Sequence, residues 1–212
     1  MNLRLYSAEG ANCCERVRWA LDHKLIKFDL IDLDDSAMPA EFVEHSPFGR
    51  VPLLVIDGQP LSESMAIVEY IEEIVPEPNM LGASALARAR VREVCEAVNS
   101  SIHPVQNSSV VRYFHPTWSK QQMRPGRAGW ITSNLVKLEN RLWRSSPYAV
   151  GNTFTLADVF VGVIYRKAIS LGASQEVLAK FDVHWSFLMS QPAVKRSCPT
   201  SLRSEAIHQS ST

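Results

Sequence analysis

Hydrophobic periodicity changes character once along this 212-residue chain, and that change constrains the fold more than any other feature. Before residues 75–84 (VPEPNMLGAS), strand and helix signals alternate; after them only helical spacing persists. Residues 2–6 (NLRLY) alternate apolar and polar, and after a turn Val17, Ala20 and Leu21 recur at helical spacing. Residues 27–33 (KFDLIDL) alternate again, residues 39–45 (PAEFVEH) suit one short helix, and residues 51–56 (VPLLVI) run into Asp57-Gly58, the strongest hairpin dipeptide. Ser62 or Ser64 then offers an N-cap for a helix carrying Ile67, Tyr70, Ile71 and Ile74. The order β-α-β-α-β-β-α describes a small α/β unit.

Beyond the Pro- and Gly-bearing stretch, Val91, Val94, Cys95, Val98 and Ile102 keep three- and four-residue spacing, as do Ile131, Leu135, Leu138 and Leu142. Thr155-Leu-Ala-Asp158 opens another helix with a capping box in which Asp replaces the usual Glu. The expected organisation is an α/β domain over 1–76, a linker over 77–84, an all-helical bundle over 85–200 and a loose Ser-rich tail over 201–212. Apolar residues make up 46% of the chain and 22 basic residues balance 22 acidic ones, so neither disorder nor a polyanionic partner such as nucleic acid is expected. No apolar run approaches the roughly 20 residues of a membrane span, and the N-terminus carries no secretory core. A cytoplasmic location without membrane attachment is the default.

The four cysteines include an adjacent pair, Cys13-Cys14, where a turn gives way to a helical pattern in YSAEGANCCERVRWAL. Adjacent thiols have neither metal-ligand nor C-x-x-C spacing, and a vicinal disulfide would be strained, so reduced thiols and no metal are expected.

Several ordered motifs now resemble one family, the cytosolic glutathione transferases: Phe48-Gly-Arg-Val-Pro52 as the loop before a cis-proline, Ser62-Glu-Ser64 opening a helix, and Thr155-Leu-Ala-Asp158. Within it, Cys13-Cys-Glu-Arg-Val-Arg18 and Ile102-His-Pro-Val-Gln-Asn-Ser-Ser109 are most similar to the zeta class, which includes maleylacetoacetate isomerases. The resemblance implies a thioredoxin-like N-terminal domain, an all-α C-terminal domain, glutathione as co-substrate, a small electrophilic substrate and a homodimer that sets the α/β half of one chain against the helical half of the other. Registering on Arg16-Val-Arg18 puts Cys13 on the motif cysteine, and Ala11 and Asn12 where the class has two serines, the first of them the thiolate-stabilising hydroxyl.

Glutathione reacts as its thiolate, which a helix N-terminus stabilises with free N–H groups and its dipole. The resemblance therefore assigns Cys13 and Asn12 to catalysis. It assigns the tripeptide to Ala11, to the Val51 backbone beside a cis-Pro52, to Ser64 and Glu63 at the γ-glutamyl end and to Arg50 at the glycyl carboxylate. Pro104, inside a helical run, should kink it and expose polar groups, so that His103, Gln106, Asn107 and Ser109 close the site from the second domain. His103 stands where the zeta pattern has Gln, an imidazole in place of an amide. Zeta isomerases carry an arginine for substrate carboxylates late in the helix after Leu-Ala-Asp. Here Ser170 holds that register and Arg166 and Lys167 fall about one turn earlier, which implies broad or altered substrate use.

Cys13 can alternatively be a small buried hydrophobe, and Cys14 reads as packing. Tyr6 reads as structural, Asp158 as a cap, and Trp19 and Trp185 as core. His115 and Trp118 belong either to the electrophile pocket or to a polar loop. Three functions remain in view: conjugation or isomerisation of small electrophiles by glutathione, thiol–disulfide or dehalogenating chemistry at Cys13, and a non-catalytic glutathione-binding subunit.

Overall fold

A computed structural model describes residues 1–33 and 38–203. Its N-terminal part is a four-stranded mixed sheet in the order β2-β1-β3-β4. Strand β1 (Leu3–Ala8) pairs parallel with β2 (Asp29–Leu33), Leu5 opposite Leu30, and antiparallel with β3 (Leu53–Ile56), Leu5 opposite Leu54. The parallel pair requires a crossover, which α1 (Asn12–His23) supplies. Helix α2 (Ala40–His45) precedes β3, and β3 turns antiparallel into β4 (Gln59–Ser62). That turn places Asp57 and Gly58 both at positive φ (47° and 85°), the conformation the Asp-Gly dipeptide favours. Helix α3 (Ser64–Ile74) completes the expected β-α-β-α-β-β-α order.

Neither serine caps α3. Its N-cap is Glu63, held at φ +69°, and Ser64 is the first helical residue. Strand β3 begins at Leu53 rather than residue 51, just after the cis Val51–Pro52 bond.

The segment leading to the helical half is pinned from below. Lys24 and Glu72, both buried, form an ion pair at 2.7 Å; Lys24 Nζ also donates to the Val75 and Pro78 carbonyls, and the Met80 amide donates to Glu72. Helix α4 (Ala85–Glu96) then runs into a π-helical stretch, Ala97–Ile102, before α5 (His103–Gln106) and α6 (Ser108–Phe114). The expected kink before Pro104 thus takes the form of a widened turn. Side chains of α7 (Lys120–Leu138) satisfy carbonyls freed there: Trp130 Nε1 donates to Ile102 O at 3.1 Å and Arg127 Nε to Gln106 O at 2.6 Å.

The polar stretch before residue 128 is largely helical. A reciprocal Ser119–Gln122 capping box starts α7, which continues through Pro125. His115 and Trp118 stack on each other at 3.8 Å just outside it. Helix α8 (Leu156–Ser170) is the buried axis of the helical half. Its Asp158 accepts from the Ala149 and Thr155 amides and the Thr155 hydroxyl, completing the box read from TLAD. Helices α9 (Ala179–Ser190) and α10 (Pro192–Ser197) follow, and Thr200–Arg203 form one more helical turn, α11, where a tail was expected; residues 204–212 lie outside the described residues.

One apolar core joins the two halves. Trp19 of α1 and Trp185 of α9 meet edge to face at 5.9 Å over Gly162 of α8, where an added Cβ would lie 3.3 Å from Trp185. Helix α1 packs directly against α8, and Lys167 near the C-terminal end of α8 reaches the Gly10 carbonyl just before α1.

Candidate active site

A cavity of about 760 Å³ opens between the α1 N-terminus, the 46–52 loop, the start of α3, helices α5 and α6, and the ends of α7 and α8. All eleven site residues read from the sequence line it: Ala11, Asn12, Cys13, Arg50, Val51, Pro52, Glu63, Ser64, His103, Asn107 and Ser109. Tyr6 lies elsewhere, hydrogen-bonded to Glu41, and His115 and Trp118 do not line the cavity.

The floor is the first turn of α1. Ala11 is its N-cap and supplies no side-chain acceptor, so the first amides point toward the cavity with the positive end of the helix dipole. Asn12 is buried, and among the described residues its Nδ2 meets no hydrogen-bond acceptor. Cys13 is half-buried with Sγ 3.2 Å from the Val51 carbonyl. Cys14 is fully buried, as packing predicts. The adjacent Cys14 thiol is the largest cause holding the Cys13 thiol well below its usual range; His103 and the charge of Arg16 act the same way, against the effect of burial. Cys14 is pushed far up by its Cys13 neighbour and by burial, and burial raises Cys95 and takes Cys198 to about 12. Cys13 is therefore the thiol poised to ionise.

Arg16 is wholly enclosed beneath this turn. Its guanidinium lies 4.4 Å over the Phe160 ring and donates to Asn99 Oδ1 at 3.1 Å, and burial pulls it down to about 10. It remains a cation at neutral pH directly behind the place where a thiolate would sit.

The walls hold the polar ends. Ser46 clasps the 46–50 loop by accepting from the Arg50 amide and donating to its carbonyl, both at 2.9 Å. Ser64 is buried at the head of α3, where a helix N-terminus favours a carboxylate. Asn107 and Ser109 are engaged with each other, since Asn107 caps α6 by accepting from the Ser109 amide and hydroxyl.

Two further cations line the cavity. Lys167 donates to the Gly10 carbonyl at 3.0 Å, and Arg127 sits beside Gln106. The sequence register puts Lys167 about one turn early for a substrate role, with Ser170 in its place, and does not single out Arg127. In the structure Ser170 is exposed outside the cavity and its carbonyl accepts from Arg124. The signal was present: Lys167 continues the buried stripe Phe160–Val163–Ile164 to the point where that stripe emerges over α1. Burial, with Arg127 and Arg124 nearby, brings the Lys167 amine down from 10.5 to about 8.

A thioredoxin-like half that presents a helix N-terminus and a cis-proline to an all-helical half defines a thiol-handling class. A family model for the glutathione S-transferase N-terminal domain matches residues 12–74. The chain is 32% identical to a maleylacetoacetate isomerase from Pseudomonas aeruginosa over 93% of this chain and 99% of the relative. Among solved structures, a bacterial zeta-class maleylpyruvate isomerase superposes with TM-score 0.83 at 25% identity, covering 93% of this chain and 97% of that one. A maleylacetoacetate isomerase from Anaeromyxobacter dehalogenans with bound glutathione superposes with TM-score 0.78 at 29% identity, covering 94% and 96%. The chain belongs to the glutathione S-transferase family and is most like its zeta class.

Proposed function

We propose that the protein ionises glutathione at the α1 N-terminus and uses the thiolate on small electrophiles that carry carboxylates, with cis–trans isomerisation of a maleyl-type double bond as its specific reaction. The thiolate adds to the conjugated double bond, the resulting single bond rotates, and the thiolate leaves to restore the alkene in the trans form. No atom is gained or lost overall.

The observation that carries this reading is the pair of cations in the cavity. Lys167 from α8 and Arg127 from α7 line the same cavity as Ser64 and Arg50, and their charges suit the carboxylates of an electrophile. The tripeptide is placed with its γ-glutamyl end at Ser64 and Glu63, its cysteinyl backbone along Val51 and its glycyl carboxylate at Arg50. Asn12 Nδ2, the first amides of α1 and the charge of Arg16 hold its sulfur in place of the serine hydroxyl that Ala11 lacks. Residues 1–76 thus act as the glutathione domain, 77–84 as the connection and 85–200 as the electrophile domain. The family reading also supports a homodimer in the cytoplasm; among the described residues no helix is long and apolar enough to cross a membrane, and no His/Cys/Asp/Glu group is arranged to hold a metal.

The test is turnover of maleylacetoacetate with and without glutathione. Isomerisation that requires glutathione is expected. Background rates in a protein that still binds immobilised glutathione would remove the isomerase version and leave conjugation. Sedimentation in solution tests the dimer.

A further inference from the structure

One side chain joins the buried cation beneath the cavity to the cavity itself. Arg16 is fully buried, and its Nη1 donates to Asn99 Oδ1 at 3.1 Å, while Nε and Nη2 find no acceptor among the described residues. Asn99 belongs to the π-helical stretch, in which the His103 amide donates to Val98 O, five residues back rather than four. It follows Val98 and stands one turn after Cys95, both buried, so it sits at the edge of the core-facing stripe, and it lines the cavity. A side-chain amide has an acceptor end and a donor end. With Oδ1 held by Arg16, the NH₂ is the end left for the cavity, and it makes no hydrogen bond among the described residues. A cation bonded to the amide oxygen also polarises the group and strengthens its N–H donors.

We propose that the Asn99 NH₂ donates to the ketone oxygen conjugated with the double bond of the electrophile and holds the negative charge that this oxygen takes when the thiolate adds. The proposal rests on the thiolate-addition reading above and names the residue that makes alkenes conjugated to a ketone the favoured substrate class. Lys167 and Arg127 suit carboxylates, which are charged before reaction begins. The ketone oxygen becomes charged only after addition, and a neutral donor backed by a buried cation favours that state over the uncharged ketone.

In the step itself, the C–S bond forms at the alkene carbon farther from the ketone, the alkene π pair moves into the bond between the other alkene carbon and the ketone carbon, and the C=O π pair moves to oxygen. The product is an enolate whose former double bond is single and free to rotate. Return of the oxygen pair breaks the C–S bond and restores alkene and thiolate, so no proton or electron is left over; in a conjugation the enolate carbon takes a proton from solvent instead. Asn99 keeps its protons throughout and acts by hydrogen bonding to the oxygen. It is the catalytic residue here, and Arg16 is a positioning residue that fixes which end of the amide faces the cavity.

The experiment compares glutathione conjugation of benzylideneacetone, an uncharged enone, with that of benzyl chloride, whose displacement puts charge on the departing chloride and none on an oxygen. The proteins are wild type, Asn99→Ala and Asn99→Asp, with thermal melts to confirm folding. The readout is kcat/KM for the enone divided by kcat/KM for the chloride, a ratio that cancels any change in the amount of thiolate. The ratio should fall about a hundred-fold in Asn99→Ala, the lower end of what one oxyanion donor supplies. Asn99→Asp keeps an oxygen for Arg16 but has no NH₂, so its ratio should fall at least as far. An unchanged ratio in Asn99→Ala, or a wild-type ratio restored in Asn99→Asp, would assign Asn99 to holding Arg16 alone and overturn the proposal, as would a wild-type protein that conjugates the chloride and leaves the enone at background. Maleylacetoacetate is scored separately: background isomerisation beside an Asn99-dependent enone ratio overturns the isomerase reading and leaves the donor standing.

Discussion

Replacing Lys167 by Met tests whether the electrophile side of the cavity is built for carboxylates. In the free enzyme burial has already taken this amine from 10.5 to about 8, a difference of about 3 kcal/mol against the ammonium at 1.36 kcal/mol per pH unit. A substrate carboxylate beside Nζ returns part of that by replacing lost solvation with a charge-assisted hydrogen bond, about 1.5–3 kcal/mol. Lys167→Met should therefore lower kcat/KM for a maleyl dicarboxylate by roughly ten- to a hundred-fold. An uncharged electrophile such as an aryl halide should change by less than about three-fold, because the thiolate is held by α1. The sign of the pH dependence follows from the depressed value: the ammonium is present below about 8 and lost above it. Wild-type kcat/KM for the dicarboxylate should fall by up to about ten-fold per pH unit above that point, and Lys167→Arg, which stays charged, should abolish the fall. The assay is steady-state turnover of both substrates from pH 6 to 10. Equal losses for charged and uncharged substrates, or a falling limb that survives in Lys167→Arg, would refute the assignment.

Three further outcomes concern the scaffold. Asp158→Ala strands the Ala149 and Thr155 amides and the Thr155 hydroxyl in a buried site and should cost at least about 3 kcal/mol in urea unfolding; a loss within that of an exposed cap, about 1 kcal/mol, would show that the three bonds are not worth their geometry. Lys24→Met leaves the Glu72 carboxylate buried without its partner and should destabilise by about 3–5 kcal/mol, whereas a neutral result would mean that Glu72 relaxes to water. Gly162→Ala puts a methyl 3.3 Å from Trp185 and 3.4 Å from Trp19, an overpacking cost of about 1–3 kcal/mol that exceeds the usual helix gain of under about 1. Lower stability with altered tryptophan fluorescence is expected, and a stabilised variant would contradict the close approach of α8 to both rings.

The sequence made one side of the cavity, the side proposed for glutathione, legible because each of its pieces is a short local pattern: the turn before Cys13, the loop ending at Pro52, the start of α3 and the His103-Pro104 break. Each pattern encodes a backbone conformation, and backbone conformation decides where those residues point. The electrophile side was not legible in the same way. Lys167 and Arg127 lie on different helices and reach the cavity only through how α7 and α8 cross α1, which depends on the packing of Trp19, Gly162 and Trp185. Helix α7 also runs through Pro125 and Gly126, both unfavourable inside a helix; its reciprocal Ser119–Gln122 box starts it before them. The N-cap of α3 was misread because either serine fits a capping pattern, whereas the chain instead holds Glu63 in a left-handed conformation beside the cavity. The Arg16–Asn99 bond is side-chain geometry across two helices, beyond any linear pattern.

The central claim is that this cavity ionises the glutathione thiol without the serine hydroxyl. Its most direct test is the ultraviolet difference spectrum on mixing glutathione with Cys13→Ala, in which burial still holds Cys14, Cys95 and Cys198 as thiols near neutrality. Thiolate absorbance that appears on binding, with a midpoint about two pH units below that of free glutathione, is the predicted result. Saturable binding with no thiolate signal until the pH at which free glutathione ionises would contradict it.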